Sequence, residues 1–159
     1  MYILAAQRDA DAMAAGERYA AYLRENAARF PKGALSLAQS EWYFNFFDHH
    51  CPHDAWLEWV RIDEPATGER REIRRTSLTV RLLGAYHDGY IELHYPEVTS
   101  YRLDMQGVRG GHRDWRYDEF RVSDEGLLVH EIEWSGYRDS GSWLITSSDV
   151  EYRWIDGSI

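Results

Sequence analysis

The chain has 159 residues, of which 44% are hydrophobic, 14% aromatic and 28% charged, and its formal net charge is −9. This length favours one domain spanning residues 1–159, and the aromatic content excludes a chain that is disordered throughout. No apolar run reaches the roughly 18 residues of a membrane helix, and an acidic chain repels nucleic-acid phosphates. We therefore expect one α+β domain whose partners are neither nucleic acid nor membrane.

The N-terminus and the cysteine content indicate the compartment. Cys51 is the only cysteine in the chain, so no internal disulfide can form. The apolar run that begins at Met1 is short and is followed at once by Asp9 and Asp11, which is unlike a secretory signal peptide. We therefore expect a cytoplasmic protein.

Two helices are predicted before the first strand. Residues 5–29 are rich in Ala, Glu and Arg and carry apolar residues at three- and four-residue steps, which predicts a first helix. Ser36 and Gln39 have the form of a capping box, so a second helix is predicted from Ser36 to about His49. The aromatic residues of this second helix are expected to pack over a sheet. The helical part of the domain is thus predicted to span 1–50.

Residues 53–157 are predicted to form the antiparallel β part. Apolar and polar residues alternate over 78–82 and 91–95, as in half-buried strands, and Asp88 followed by Gly is a hairpin signal. The later connections are too short for crossover helices, which favours a twisted antiparallel sheet of six or seven strands with the helical pair packed on it. The residues predicted to form the core of the sheet are Leu78, Val80, Leu82, Ile91, Leu93, Ile132 and Ile145.

The densest cluster of candidate metal ligands lies just before the first predicted strand. His49, Cys51 and His53 are residue types that bind zinc, but they would need a fourth ligand from elsewhere. The alternative is a helix C-terminus, where the helix dipole favours a charged histidine, followed by a turn. We expect no metal and no cofactor; if a metal binds, these three residues are its candidate ligands.

His130 lies between Leu128 and Ile132 on the apolar face of a predicted strand. One interpretation is a core histidine bonded to a buried acceptor. The other is a catalytic base, which would need a partner carboxylate or nucleophile that the spacing does not identify. No residue can be assigned a catalytic role on this basis, so we expect binding rather than catalysis.

The C-terminal part of the chain is its acidic pole, because residues 114–159 carry eleven Asp or Glu residues against four Arg. Glu131 and Glu133 alternate with apolar residues, which predicts that both project from the solvent face of one strand. We interpret them, with Asp118 and a partly exposed Trp59, as partner-binding residues. Such a surface favours a protein partner with a basic surface. Solubility alone is the alternative, and a second copy of the chain is a further candidate partner.

Six short segments of the β part resemble those of a known group of proteins. They are 53–57, 90–93, 115–120, 128–132, 143–145 and 149–151. Together they resemble a diffuse group of small, uncharacterised bacterial proteins with a His-Asp-x-x-Leu strand start, some of which look like immunity proteins of polymorphic toxins. The resemblance covers 53–155 and implies a non-enzymatic, cytoplasmic role.

Two functions from different classes therefore stand as hypotheses. The first is a non-enzymatic cytoplasmic protein-binding domain, in its immunity-like form a neutraliser of a basic toxin. The alternative is a small-ligand or metal-dependent enzyme that uses His49, Cys51 and His53, together with His130 or Asp54. A complete ligand set or catalytic triad would distinguish the second from the first.

Overall fold

The computed structural model describes residues 2–4, 8, 10–105, 111–135 and 140–157. Within these residues the chain forms an α+β fold in which one antiparallel sheet has eight strands. The α+β class and the antiparallel sheet are confirmed, but the predicted number of six or seven strands is too low. No helix among the described residues is long and apolar enough to cross a membrane.

The elements follow one another along the chain in the order helices, then strands. The helices are α1 (Ala12–Asn26) and α2 (Lys32–Ala38). The strands are β1 (Trp56–Asp63), β2 (Ala66–Thr67), β3 (Ile73–Arg74), β4 (Ser77–Leu83), β5 (Gly89–Tyr95), β6 (Val98–Met105), β7 (Asp114–Val122), β8 (Leu128–Ser135), β9 (Ser140–Ser147) and β10 (Glu151–Asp156). β2 and β3 pair only with each other.

The first helix is shorter than the predicted 5–29. Asp11 is its N-cap, because the Asp11 carboxylate accepts a hydrogen bond from the Ala14 N–H at 2.9 Å. The helix ends at Asn26, whose side-chain amide donates to the Tyr22 carbonyl. Residues 5–7 and 9 of the predicted helix lie outside the described residues.

The second helix is not the predicted Ser36–His49. α2 begins at Lys32, and its first backbone N–H groups, on Gly33 and Ala34, donate to the Asp149 carboxylate at 2.9 Å each. Ser36 therefore lies inside the helix and does not cap it. The true capping group comes from the far end of the chain, where no local sequence pattern could reveal it.

The eight-stranded sheet consists of two four-stranded halves with the order β10-β5-β4-β1 and β7-β8-β9-β6. β1 and β7 join the halves through one residue pair, Trp56 and Asp114, and through backbone hydrogen bonds of Trp115 with Asp54 and Ala55. The inner faces of the halves meet, because the Tyr95 hydroxyl on β5 lies 2.7 Å from the ring of His130 on β8. The sheet therefore folds back on itself around one core.

The core between these faces agrees with the sequence prediction. All seven residues predicted as core have no exposed surface, and Tyr43, from the segment predicted to cover the sheet, is equally buried. Trp115, Trp134 and Trp143 are also buried within the same core. Burying such large side chains is the main source of stabilisation in a domain of this size.

The open edge of β7 is covered by two tyrosines of α1 instead of a strand. The Tyr19 hydroxyl accepts a hydrogen bond from the Phe120 N–H and donates one to the Phe120 carbonyl, both at 3.0 Å. One turn later, the Tyr22 hydroxyl accepts from the Val122 N–H at 3.0 Å. These bonds satisfy edge groups that would otherwise be buried without partners, and they place α1 beside β7.

Candidate functional site

A run of turns occupies the segment between α2 and β1, where a helix was predicted. The N–H groups of Asn45, Asp48 and Cys51 each donate to the carbonyl three residues earlier, at 2.9–3.1 Å. The Asn45 and Asp48 side chains accept the N–H groups of Phe47 and His50 at 3.1 and 2.9 Å. Short polar side chains that bind the backbone in this way compete with a helix, and within these turns Phe46 and Phe47 are turned outward.

These turns, the β4–β5 connection and the first residue of β1 together expose five rings, which we call the aromatic face: Phe46, Phe47, His49, Trp56 and Tyr86. Phe47 is 87% exposed, Trp56 50%, Tyr86 47% and Phe46 42%. Single exposed apolar residues are common on protein surfaces, whereas a contiguous group of them marks an interaction site. Sequence reasoning considered His49 only as a candidate metal ligand and assigned the other four rings to no site; Phe46 and Phe47 lie in the segment that was predicted to be helical.

Four of the five rings of the aromatic face, all except Phe47, are held by specific partners. His49 stacks on Tyr86 with ring centroids 3.9 Å apart and planes 4° from parallel. The Tyr86 hydroxyl donates to the Phe46 carbonyl at 3.4 Å, which links the hairpin to the turns. The Trp56 indole N–H donates to the Asp114 carboxylate at 2.8 Å. These parts of the aromatic face are therefore preformed in the unbound protein.

Carboxylates lie between the rings of the aromatic face. The His49 ring hydrogen-bonds to Asp88, and this bond lowers the pKa of Asp88. The backbone N–H of His50, assisted by its ring, lowers the pKa of Asp48. Both carboxylates are thus ionised at neutral pH, and the aromatic face carries negative charge.

A cavity of about 210 Å³ lies beside the aromatic face, between α1, the turns and β7. The rings of Phe44, Phe46 and Tyr117 form part of its wall, and Arg8 and Arg116 also line it. The Arg8 guanidinium lies 3.5 Å from the centroid of the Tyr117 ring, which is a close cation–π contact. The cavity therefore combines an apolar aromatic lining with two cations.

His53 lies at the wall of this cavity and orients Arg116. Its ring stacks on Phe46 at 3.7 Å, and burial lowers the pKa of His53, which keeps the ring neutral at pH 7. His53 Nδ1 lies 3.3 Å from the Asp54 carboxylate and His53 Nε2 lies 3.5 Å from Arg116. This arrangement fits a ring protonated on Nδ1, with Nε2 turned toward the guanidinium.

Asp118 is the centre of a buried hydrogen-bond network at the floor of the cavity. Tyr43 and Trp115 donate to its two carboxylate oxygens at 2.9 Å, and His130 Nε2 lies 2.8 Å from one of them. Because the carboxylate accepts, His130 Nε2 carries a proton and Nδ1 accepts from the Tyr95 hydroxyl. Burial raises the pKa of both Tyr43 and Tyr95, so both hydroxyls stay protonated donors.

This network decides two of the sequence predictions. His130 is fully buried and bonded to a buried acceptor, as the first interpretation of its position held. Asp118, which was interpreted as a partner-binding residue, is only 4% exposed. A β-bulge between Trp115 and Tyr117 shifts the alternation of β7 and turns Asp118 inward.

The other predicted partner residues lie on the outer surfaces of the two sheet halves. Glu131 and Glu133 are half-buried on the outer face of β8, in the predicted alternation. Glu131 pairs with Arg121 at 2.6 Å, and Arg121 also pairs with the buried Glu119, so much of this negative charge is balanced. Trp59 is 38% exposed on β1.

The three candidate metal ligands have separate partners. His49 belongs to the aromatic face, His53 lies against Phe46, and the Cys51 thiol donates to the Tyr43 carbonyl at 2.9 Å. Burial raises the pKa of Cys51 to about 12, which removes its nucleophilic character near neutral pH. In the described parts of the chain, no group of three or more His, Cys, Asp or Glu side chains is arranged to hold a metal ion.

Comparison with known proteins gives no relative from which to transfer a function. No protein-family model, no curated protein and no solved structure matches the chain. The functional argument therefore depends on the geometry of the aromatic face and of the cavity.

Proposed function

We propose that this protein is a non-enzymatic binding protein that captures a protein partner with a basic surface on its aromatic face. The observation that carries the proposal is the group of exposed rings at Phe46, Phe47, Trp56 and Tyr86, of which all but Phe47 are held by stacking or hydrogen bonds. Large exposed aromatic residues are enriched at the energetic centres of protein interfaces.

The rigidity of the aromatic face supports binding. A side chain that is already held in place loses little conformational entropy when a partner covers it. Tyr86 is held by His49 on one side and by its bond to the Phe46 carbonyl on the other. The turns that carry Phe47 are themselves closed by the Asn45 side chain. A flexible loop with the same residues would bind more weakly.

The charge of the aromatic face supports a basic partner. The ionised Asp48 and Asp88 lie among rings, so a Lys or Arg side chain could form an ion pair and a cation–π contact at the same place. The net charge of −9 would speed the approach of such a partner.

An immunity-like neutraliser of a basic toxin is the form of this function that we propose, acting in the cytoplasm. Neutralisation requires only that a preformed surface cover the toxin, and the aromatic face offers such a surface. The enzyme hypothesis is less well supported, because the Cys51 thiol is buried and its pKa is raised to about 12. A catalytic thiol instead needs access and a lowered pKa.

The test compares the wild-type protein with a double variant of the aromatic face, Phe47→Ser with Tyr86→Ser. The matched control is Tyr101→Ser with Met105→Ser on the edge strand β6, where both residues are similarly exposed. Partners retained by immobilised wild-type protein are identified, purified and titrated calorimetrically against all three proteins. Truncating interface aromatic residues typically costs about 2 kcal/mol, which corresponds to a roughly 30-fold weaker Kd.

The proposal requires that a basic protein bind the wild type and the control equally and bind the aromatic-face variant at least tenfold more weakly. Association should also slow as salt is raised, since the charges of the aromatic face are screened beyond roughly 8 Å at physiological ionic strength. Equal binding by the aromatic-face variant, loss of binding only in the β6 control, or no retained protein above background would each reject it.

A further inference from the structure

The cavity beside the aromatic face has the composition of a site for a small organic anion. Three rings, those of Phe44, Phe46 and Tyr117, provide a flat apolar lining, and two guanidinium groups, Arg8 and Arg116, provide positive charge. We propose that this cavity binds a small carboxylate that carries an aromatic body. The cavity shares Phe46 with the aromatic face, but the small carboxylate and the protein partner can each be tested without the other.

Both cations contact the same ring. The Arg8 guanidinium lies 3.5 Å from the centroid of Tyr117, and the Arg116 guanidinium lies 5.1 Å from it. Guanidinium groups bind carboxylates through paired N–H donors. The contacts of Arg116 with His53 and Asp54 both involve Nη1 and are both as long as 3.5 Å. A ligand carboxylate could therefore form a shorter and stronger bond with Arg116 than either of these residues does.

Asp118, at the floor, does not reverse the preference for an anion. Its two carboxylate oxygens already accept hydrogen bonds from Tyr43, Trp115 and His130. These neutral donors stabilise the carboxylate but leave its charge in place. The neutral ring of His53 adds no charge of its own to the wall. With two guanidinium groups against one carboxylate, the charged residues that line the cavity carry a net positive charge.

The size of the cavity matches one aromatic ring with a short acidic group. Its volume of about 210 Å³ exceeds the roughly 150 Å³ of an engineered apolar cavity that holds benzene. Gly16 borders the same space from α1, and a Cβ added there would meet no heavy atom within 4 Å. Glycine is unfavourable in a helix interior, so its presence beside the cavity is consistent with a need for open space.

The test uses benzoate and 2-naphthoate as probes, with benzamide as the uncharged analogue and benzamidine as the cationic one. Binding is measured by calorimetry, and the site is located from backbone amide shifts in NMR spectra. Arg116→Gln removes one cation, and Arg61→Gln is the matched control, since Arg61 is an exposed arginine on β1 that pairs with Asp63. Gly16→Leu places a side chain into the free space, and Gly16→Ala is its control.

We expect at least one carboxylate probe to bind in the millimolar range or tighter and to shift the amides of Gly16 and Tyr117. Arg116→Gln should weaken binding roughly tenfold, as expected for the loss of one charged hydrogen bond. Gly16→Leu should weaken binding by a similar factor. The controls, Arg61→Gln and Gly16→Ala, should bind the probe as the wild type does. Stronger binding of benzamide or benzamidine, no effect of Arg116→Gln in a folded variant, or no binding of either carboxylate would overturn the proposal.

Discussion

Replacing Tyr19 with phenylalanine removes one hydroxyl oxygen. In the wild type, this hydroxyl makes the backbone hydrogen bonds with Phe120 that a neighbouring strand would otherwise make. The Tyr19 hydroxyl bonds both the N–H and the carbonyl of Phe120, and both residues are buried, at 4% and 0% exposure. Each buried backbone group left without a partner costs about 1–3 kcal/mol. The hydroxyl is itself no longer desolvated in the variant, which offsets part of this cost. We therefore expect Tyr19→Phe to lower the free energy of unfolding by about 2–4 kcal/mol.

Tyr22→Phe is the matched control on the same helix. It loses one bond, to the N–H of Val122, which is only half-buried and can exchange its partner for water. Its expected cost is about 1 kcal/mol or less. Urea denaturation gives both free energies, and hydrogen exchange gives the protection of the Phe120 and Val122 amides. An equal or smaller loss for Tyr19→Phe, or unchanged protection at Phe120, would refute the assignment of α1 as the cover of the β7 edge.

Four further substitutions test the core, the helices and the wall of the cavity. Leu93→Ala, at a fully buried position, should lower the free energy of unfolding by about 2–5 kcal/mol, and an unchanged urea midpoint would contradict the burial of β5. Gly16→Ala should stabilise the fold by about 1 kcal/mol because helix propensity improves in open space. Gly33→Ala should destabilise it, since the new Cβ would lie 2.3 Å from the Val150 carbonyl oxygen, and thermal melting separates the two outcomes. Burial holds the pKa of His53 below 6.5, so the unfolded chain binds a proton first and stability falls as pH drops below 6.5. His53→Gln should make stability less dependent on pH over that range, and an unchanged dependence in urea titrations would contradict a neutral, buried ring.

The parts of the fold that follow from local alternation could be predicted from sequence. Leu78, Val80 and Leu82 point inward because successive side chains in a strand alternate between faces, and the hairpin at Asp88 follows from turn chemistry. His130 was placed correctly for the same reason. These features depend on neighbours a few residues away, which a single sequence displays.

The features that could not be predicted depend on an extra residue in a strand or on partners that are far away in the chain. The bulge in β7 turns Asp118 inward, and β1 has a register shift between Leu57 and Trp59. The carboxylate that caps α2 comes from Asp149, more than a hundred positions away.

The aromatic face was not predicted from the sequence. The aromatic residues between the turn-forming polar residues are typical of a buried helix, so a helix was predicted there. The signal that could have revealed it is the pair of short polar residues, Asn45 and Asp48, spaced among the rings. The cavity could not have been found, since its lining comes from α1, the turns and β7. These elements are far apart in the chain and meet only in the folded structure.

Hydrogen-exchange mass spectrometry of the complex with the captured basic protein tests the central claim most directly. The proposal predicts added protection of the backbone at 45–50 and 84–88, the two segments that carry most of the aromatic face. The outer face of β8, with Glu131 and Glu133, should exchange as it does in the free protein. Protection confined to β8 or to the β6 edge, with the 45–50 and 84–88 segments unchanged, would contradict the account.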